Sequence, residues 1–113
     1  MLLVEDDELV QRALVEMLVI AGWFVTSVST GAEVLQSLRR ETVPFDVLVT
    51  DLSLPGMTGC ELGSQASAEY PGLKIILVSG YASVEQAPGK EPFEVLAKPF
   101  SVEQLEAAIS RQP

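Results

Sequence analysis

The 113-residue chain contains no histidine, one cysteine, one tryptophan and only seven lysines and arginines. Each shortage removes a class of function. Without histidine, zinc sites and Ser-His nucleophilic catalysis are nearly excluded, and a reaction that needs an imidazole must take it from another molecule. A single cysteine, Cys60, cannot form an internal disulfide, and no charged-then-apolar signal segment opens the sequence, so a reducing, cytoplasmic setting is expected. Seven basic residues stand against sixteen acidic ones, a formal charge of −9. That balance argues against a phosphate-tracking nucleic-acid face and against adsorption to anionic lipid, both of which need a cationic surface. The longest unbroken apolar run, residues 17–25, is nine residues long. About twenty are needed to cross a bilayer, so no membrane contact is expected of this domain.

What is present is enough for one core. The sequence is 48% hydrophobic, and a chain of this length buries roughly 65% of the surface its unfolded form exposes. A single domain over residues 1–113 is expected. Short apolar runs at 1–4, 47–50 and 74–79 read as buried strands, with weaker ones at 23–28 and 93–97. Between them apolar residues recur at helical spacing, as in Val10, Leu14, Met17, Leu18 and Ala21, and in Val102, Leu105 and Ile109. Capping-box pairs mark four helix starts: Thr30 with Glu33, Thr58 with Glu61, Ser83 with Gln86, and Ser101 with Gln104. A fifth helix starts near Asp7 or Glu8, where carboxylates suit the positive end of the helix dipole. Apolar strands alternating with one-faced helices bury themselves as a parallel sheet covered on both sides, a doubly wound α/β fold.

In such a fold the strand ends and the loops after them share one rim. Four of those ends carry chemistry: Glu5, Asp6 and Asp7 after the first strand, Asp51 after the third, Ser79 after the fourth and Lys98 after the fifth. Taken singly, each has an ordinary reading as a helix start, a turn former or a solvated charge. Jointly they read as a phosphate-accepting site. Crowded carboxylates suit a hard cation such as Mg²⁺, a carboxylate beside it can attack phosphorus, and a lysine and a hydroxyl can meet the phosphoryl oxygens.

The segments Leu-Leu-Val-Glu5-Asp6-Asp7, Asp51-Leu-Ser-Leu-Pro55-Gly-Met-Thr-Gly59, Val78-Ser79-Gly80 and Lys98-Pro99-Phe100 resemble the receiver domain of two-component response regulators and hybrid histidine kinases. The resemblance spans essentially the whole chain in order. It implies five parallel strands in the order 2-1-3-4-5 with five helices, a flavodoxin-like fold. It implies that Asp51 is the phosphoacceptor and that Glu5, Asp6 and Asp51 hold Mg²⁺ together with the backbone carbonyl of Ser53. Asp7 becomes a helper or helix starter. Ser79 and Lys98 orient the phosphoryl group, with Lys98 preceding a Pro99 bond that is commonly cis in the family. The implied partner is a histidine kinase or histidine phosphotransfer domain, which supplies the missing imidazole.

Two departures from the family pattern matter. The aromatic expected three residues before the lysine is Val95, and Phe93, one pleat away, reads as a packing residue. Pro88, Gly89 and Pro92 shorten the fourth helix, which points to a monomeric phosphate relay or sink more than a dimerising switch. The first strand begins at Met1 with no lead-in, so a piece of a hybrid sensor kinase is expected, with a stand-alone response regulator as the alternative. A haloacid-dehalogenase-like phosphatase would need a second Asp two residues after Asp51, where this chain has Ser53. A flavodoxin-like carrier would cradle phosphate in its first loop, which here holds three carboxylates. Trp23 reads as a packing residue.

Overall fold

The computed structural model describes residues 1–40, 45–80 and 93–111. In chain order these form β1 (Leu2–Val4), α1 (Glu8–Ile20), β2 (Thr26–Val28), α2 (Gly31–Arg40), β3 (Val47–Asp51), β4 (Ser53–Leu54), β5 (Met57–Thr58), α3 (Gly59–Glu69), β6 (Lys74–Gly80), β7 (Glu94–Lys98) and α4 (Val102–Arg111). The expected helix start at Ser83, and Pro88, Gly89 and Pro92 after it, lie outside the described residues.

The main sheet is parallel in the order β2-β1-β3-β6-β7, which is the expected 2-1-3-4-5 order of the five main strands. Alternation along the central strands divides the core in two. Leu2, Val4, Leu48, Ile75 and Leu77 face Val34 and Leu38 of α2 and Leu62 and Ala66 of α3. Leu3, Val47, Val49, Ile76 and Val78 face Leu18 of α1 and Leu105, Ala108 and Ile109 of α4. Each fully buried Leu or Ile contributes about 1.5–3 kcal/mol over leaving it in water, so these two layers hold the sheet and fix its rims.

The helix starts follow the local signals. Asp7 caps α1, its Oδ1 accepting from the amides of Leu9 at 3.0 Å and Val10 at 3.2 Å. Thr58 and Glu61 form a reciprocal box on α3, and Ser101 and Gln104 do the same at α4. At α2 the Glu33 carboxylate accepts from the amide of Ser29, one residue earlier than the standard box.

Several expected boundaries shift. The second strand is only Thr26–Val28, not 23–28. Phe24 is 94% exposed, while Trp23 and Val25 pack against the α1–α4 layer without joining the ladder. β2 is a short, largely polar edge strand, a form that discourages pairing with another chain. On α1, Val10 and Ala21 prove exposed, so the buried stripe is narrower than the spacing implies. The fifth main strand starts at Glu94, with Phe93 just before it.

One element was not foreseen. Between Asp51 and α3, β4 and β5 pair antiparallel around Pro55 and Gly56, the sequence signature of a type II turn, with Gly56 at φ 82°.

Candidate functional site

The site forms where β1, β3 and β7 end. Asp51 is the last residue of β3, Lys98 the last of β7, and Glu5 follows β1 directly. Glu5 is 3% exposed. Its Oε1 accepts from Lys98 Nζ at 2.7 Å and its Oε2 from the Asp7 amide at 3.2 Å. Lys98 Nζ also donates to Asp51 Oδ2 at 3.2 Å. A single ammonium therefore ties together carboxylates 93 and 47 positions away in the chain. Asp6 is exposed beside them, and one carboxylate oxygen each from Glu5, Asp6 and Asp51 lie within 4.8 Å of one another.

Burial alone would push the Lys98 ammonium down. The hydrogen bonds to Glu5 and Asp51 and the charges of both carboxylates outweigh it, and the net shift is upward. Lys98 stays charged at any physiological pH.

The donor set fits a hard divalent cation. It is all oxygen, and three carboxylates against one ammonium leave two formal negative charges, the complement of Mg²⁺. Each bonded Glu5 oxygen still has a lone pair to offer.

The remaining expected residues stand nearby in the fold. Val78 is the register partner of Asp51, and Ser79, the next residue, is 6% exposed and pairs with Ala97. Ser53 opens β4, exposed, opposite Thr58. Asp7 serves as the α1 cap, a helix starter. The Lys98–Pro99 bond is cis. Val95 and Phe93 both pack against the α2–α3 layer, with no aromatic at position 95. The glycine eight residues after Asp51 has a steric cause: a Cβ on Gly59 would collide with the Asp51 carbonyl oxygen. Its amide donates to the Leu52 carbonyl at 2.7 Å, which closes α3 against the end of β3.

Two further features escaped the sequence. Gln11 on α1 donates through Nε2 to the carbonyls of Glu5 at 3.0 Å and Val28 at 2.8 Å. Trp23 Nε1 donates to Glu106 Oε2 at 3.2 Å, tying the approach to β2 onto α4.

Fold and site together define a doubly wound α/β domain with a carboxylate–lysine centre at the carboxyl edge of its sheet. The family model of the response regulator receiver domain matches residues 1–110, and the chain belongs to that family. It is 38% identical to the response regulator receiver protein CpdR of Brucella abortus, over 97% of this chain and 92% of that protein. It is 33% identical to the sensor kinase CckA of the same organism, over 96% of this chain but 12% of the kinase. Among solved structures, the CheY-like receiver domain from Methylobacillus flagellatus superposes with a TM-score of 0.83 at 27% identity, covering 99% of this chain and 96% of that one. The chain is thus a receiver domain of two-component signalling, a class of phosphoacceptors distinct from enzymes that turn over external substrates. No helix among the described residues is long and apolar enough to cross a membrane.

Proposed function

We propose that Asp51 accepts a phosphoryl group from a phosphohistidine on a histidine kinase or histidine phosphotransfer domain, in the cytoplasm, and later loses it to water. The observation that carries this reading is the meeting of Lys98 with both Glu5 and Asp51, from three strand ends. An Asp51 carboxylate oxygen attacks phosphorus, a P–O bond forms, the P–N bond breaks, and the histidine nitrogen leaves with the electron pair. In the reverse half of the cycle water attacks the same phosphorus and the carboxylate departs. Glu5, Asp6, Asp51 and the Ser53 carbonyl would hold Mg²⁺, which supplies charge neutralisation at the phosphoryl oxygens. Lys98 offers its ammonium to one of those oxygens, and Ser79 a hydroxyl to another. Glu5 holds Lys98 in place, since its carboxylate is buried and bonded on both oxygens.

Two parent contexts fit the domain, a hybrid sensor kinase and a stand-alone response regulator. Relatives of both kinds match nearly the whole of this chain, CpdR at 38% identity over 97% of it and CckA at 33% over 96%. With Val95 in place of a switch aromatic, the domain acts as a monomeric relay or phosphate sink.

The test is Mg²⁺-dependent labelling by acetyl phosphate. The unaltered chain takes up an acid-labile phosphoryl group, and Asp51→Asn takes up none. Equal labelling of the two would overturn the assignment.

A further inference from the structure

We infer that Gln11 is a positioning residue for the cation and phosphoacceptor site, acting through the backbone of Glu5; this rests on the function proposed above. In a parallel ladder alternate carbonyls of one strand meet amides of a given neighbour, and both partners advance by two residues with every rung. Thr26 donates to the Met1 carbonyl at 2.9 Å, and Glu5 donates to the Val28 carbonyl at 3.1 Å. The next rung would bring the amide of residue 30 to the Glu5 carbonyl. β2 has ended by then, at Val28, and Thr30 belongs to the start of α2, its hydroxyl accepting from the Glu33 amide at 3.2 Å. Gln11 supplies the donor that the departing strand takes away. Its one carboxamide nitrogen spans both carbonyls, closing the end of the β1–β2 ladder where β1 turns into the acidic loop.

The consequence falls on Glu5 and, one peptide on, Asp6. Glu5 is held at four points: its amide by Val28, its carbonyl by Gln11, and its two carboxylate oxygens by Lys98 and the Asp7 amide. Removing the second of these frees the peptide that joins Glu5 to Asp6. Asp6, exposed and carried on that peptide, then loses its place beside Glu5 and Asp51.

Gln11→Met keeps length and volume and removes both donors, whereas Gln11→Arg keeps donors on a longer stem. For Mg²⁺ binding measured by calorimetry, Gln11→Met should weaken affinity about tenfold, the lower end of what is lost when a group orienting a metal ligand is removed. Gln11→Arg should recover most of it. Acetyl phosphate labelling should follow the same order when read at fixed Mg²⁺ and converge at saturating Mg²⁺, a split that a simple loss of stability would not produce. In the unaltered chain, the Gln11 side-chain amide protons should exchange slowly and shift when Mg²⁺ is added. Gln11→Met binding Mg²⁺ as tightly as the parent, or Gln11 amide protons that exchange as fast as those of a free glutamine, would overturn the inference and leave the function intact. Failure of the unaltered chain to bind Mg²⁺ would instead overturn the proposed function and this inference with it.

Discussion

Three lysine or arginine side chains make ion pairs among the described residues, and they occupy two very different settings. Arg12 meets Glu8 on the surface of α1 and Arg39 meets Glu69 between α2 and α3, each at 3.2 Å with both partners well exposed. Lys98 meets Glu5 at 2.7 Å and Asp51 at 3.2 Å, with its own side chain 27% exposed and the Glu5 side chain 3% exposed. The distances barely separate the two settings; the surroundings do. Charges in water are screened, and such surface pairs contribute about 0–1 kcal/mol. At the rim the same kind of contact sits over a packed sheet edge, where a charge left alone is costly and an arriving phosphoryl group would be felt strongly. The contrast sets the rim lysine apart: under the function proposed above its further partner is one that comes and goes, while the surface pairs only decorate helices.

Breaking the rim should therefore matter most. Lys98→Ala should slow labelling by acetyl phosphate on the order of a hundredfold, as removal of a charge-stabilising donor does elsewhere, while calorimetry still finds Mg²⁺ bound. A variant that labels at the parental rate would erase the distinction between the two settings.

A smaller effect should separate two exposed acids on either side of the α1 cap. With Mg²⁺ at a hundred times its dissociation constant, the unaltered chain should gain about 2.7 kcal/mol of stability by mass action. Asp6→Asn should lose most of that gain in thermal melts, and Glu8→Gln, outside the carboxylate group, should keep it. Equal gains in both variants would remove Asp6 from the cation site. The smallest effect belongs to the surface: Glu69→Gln should change the unfolding free energy by no more than about 0.5 kcal/mol, and a loss of several times that would show the exposed pair to be no mere decoration.

Much of this was legible beforehand because it is local or strongly periodic. The apolar runs of β1, β3 and β6 are buried on both faces, so nothing but a covered parallel sheet accommodates them. Capping pairs such as Thr58 with Glu61 act within one turn and read directly. The second strand did not read so well: Trp23, Phe24 and Val25 are as apolar as strand residues, yet an edge position lets Phe24 point to water and leaves only Thr26–Val28 in the ladder. Val10 and Ala21 fit the helical spacing but fall at the margin of the buried stripe, which spacing alone does not delimit. The rim residues Glu5, Asp51 and Lys98 were recoverable because strand ends converge by topology. Gln11 was not, because its role depends on where β2 stops, and that is a property of the ladder register.

Of the three neighbouring carboxylates, Glu5, Asp6 and Asp51, only Asp51 should receive phosphorus. Treating the acetyl phosphate-labelled chain with hydroxylamine converts an acyl phosphate to a hydroxamate at the residue that carried it, and tandem mass spectrometry of the peptides locates that residue. The hydroxamate is predicted at Asp51 alone; a hydroxamate at Glu5 or Asp6, or one distributed among the three, would contradict it.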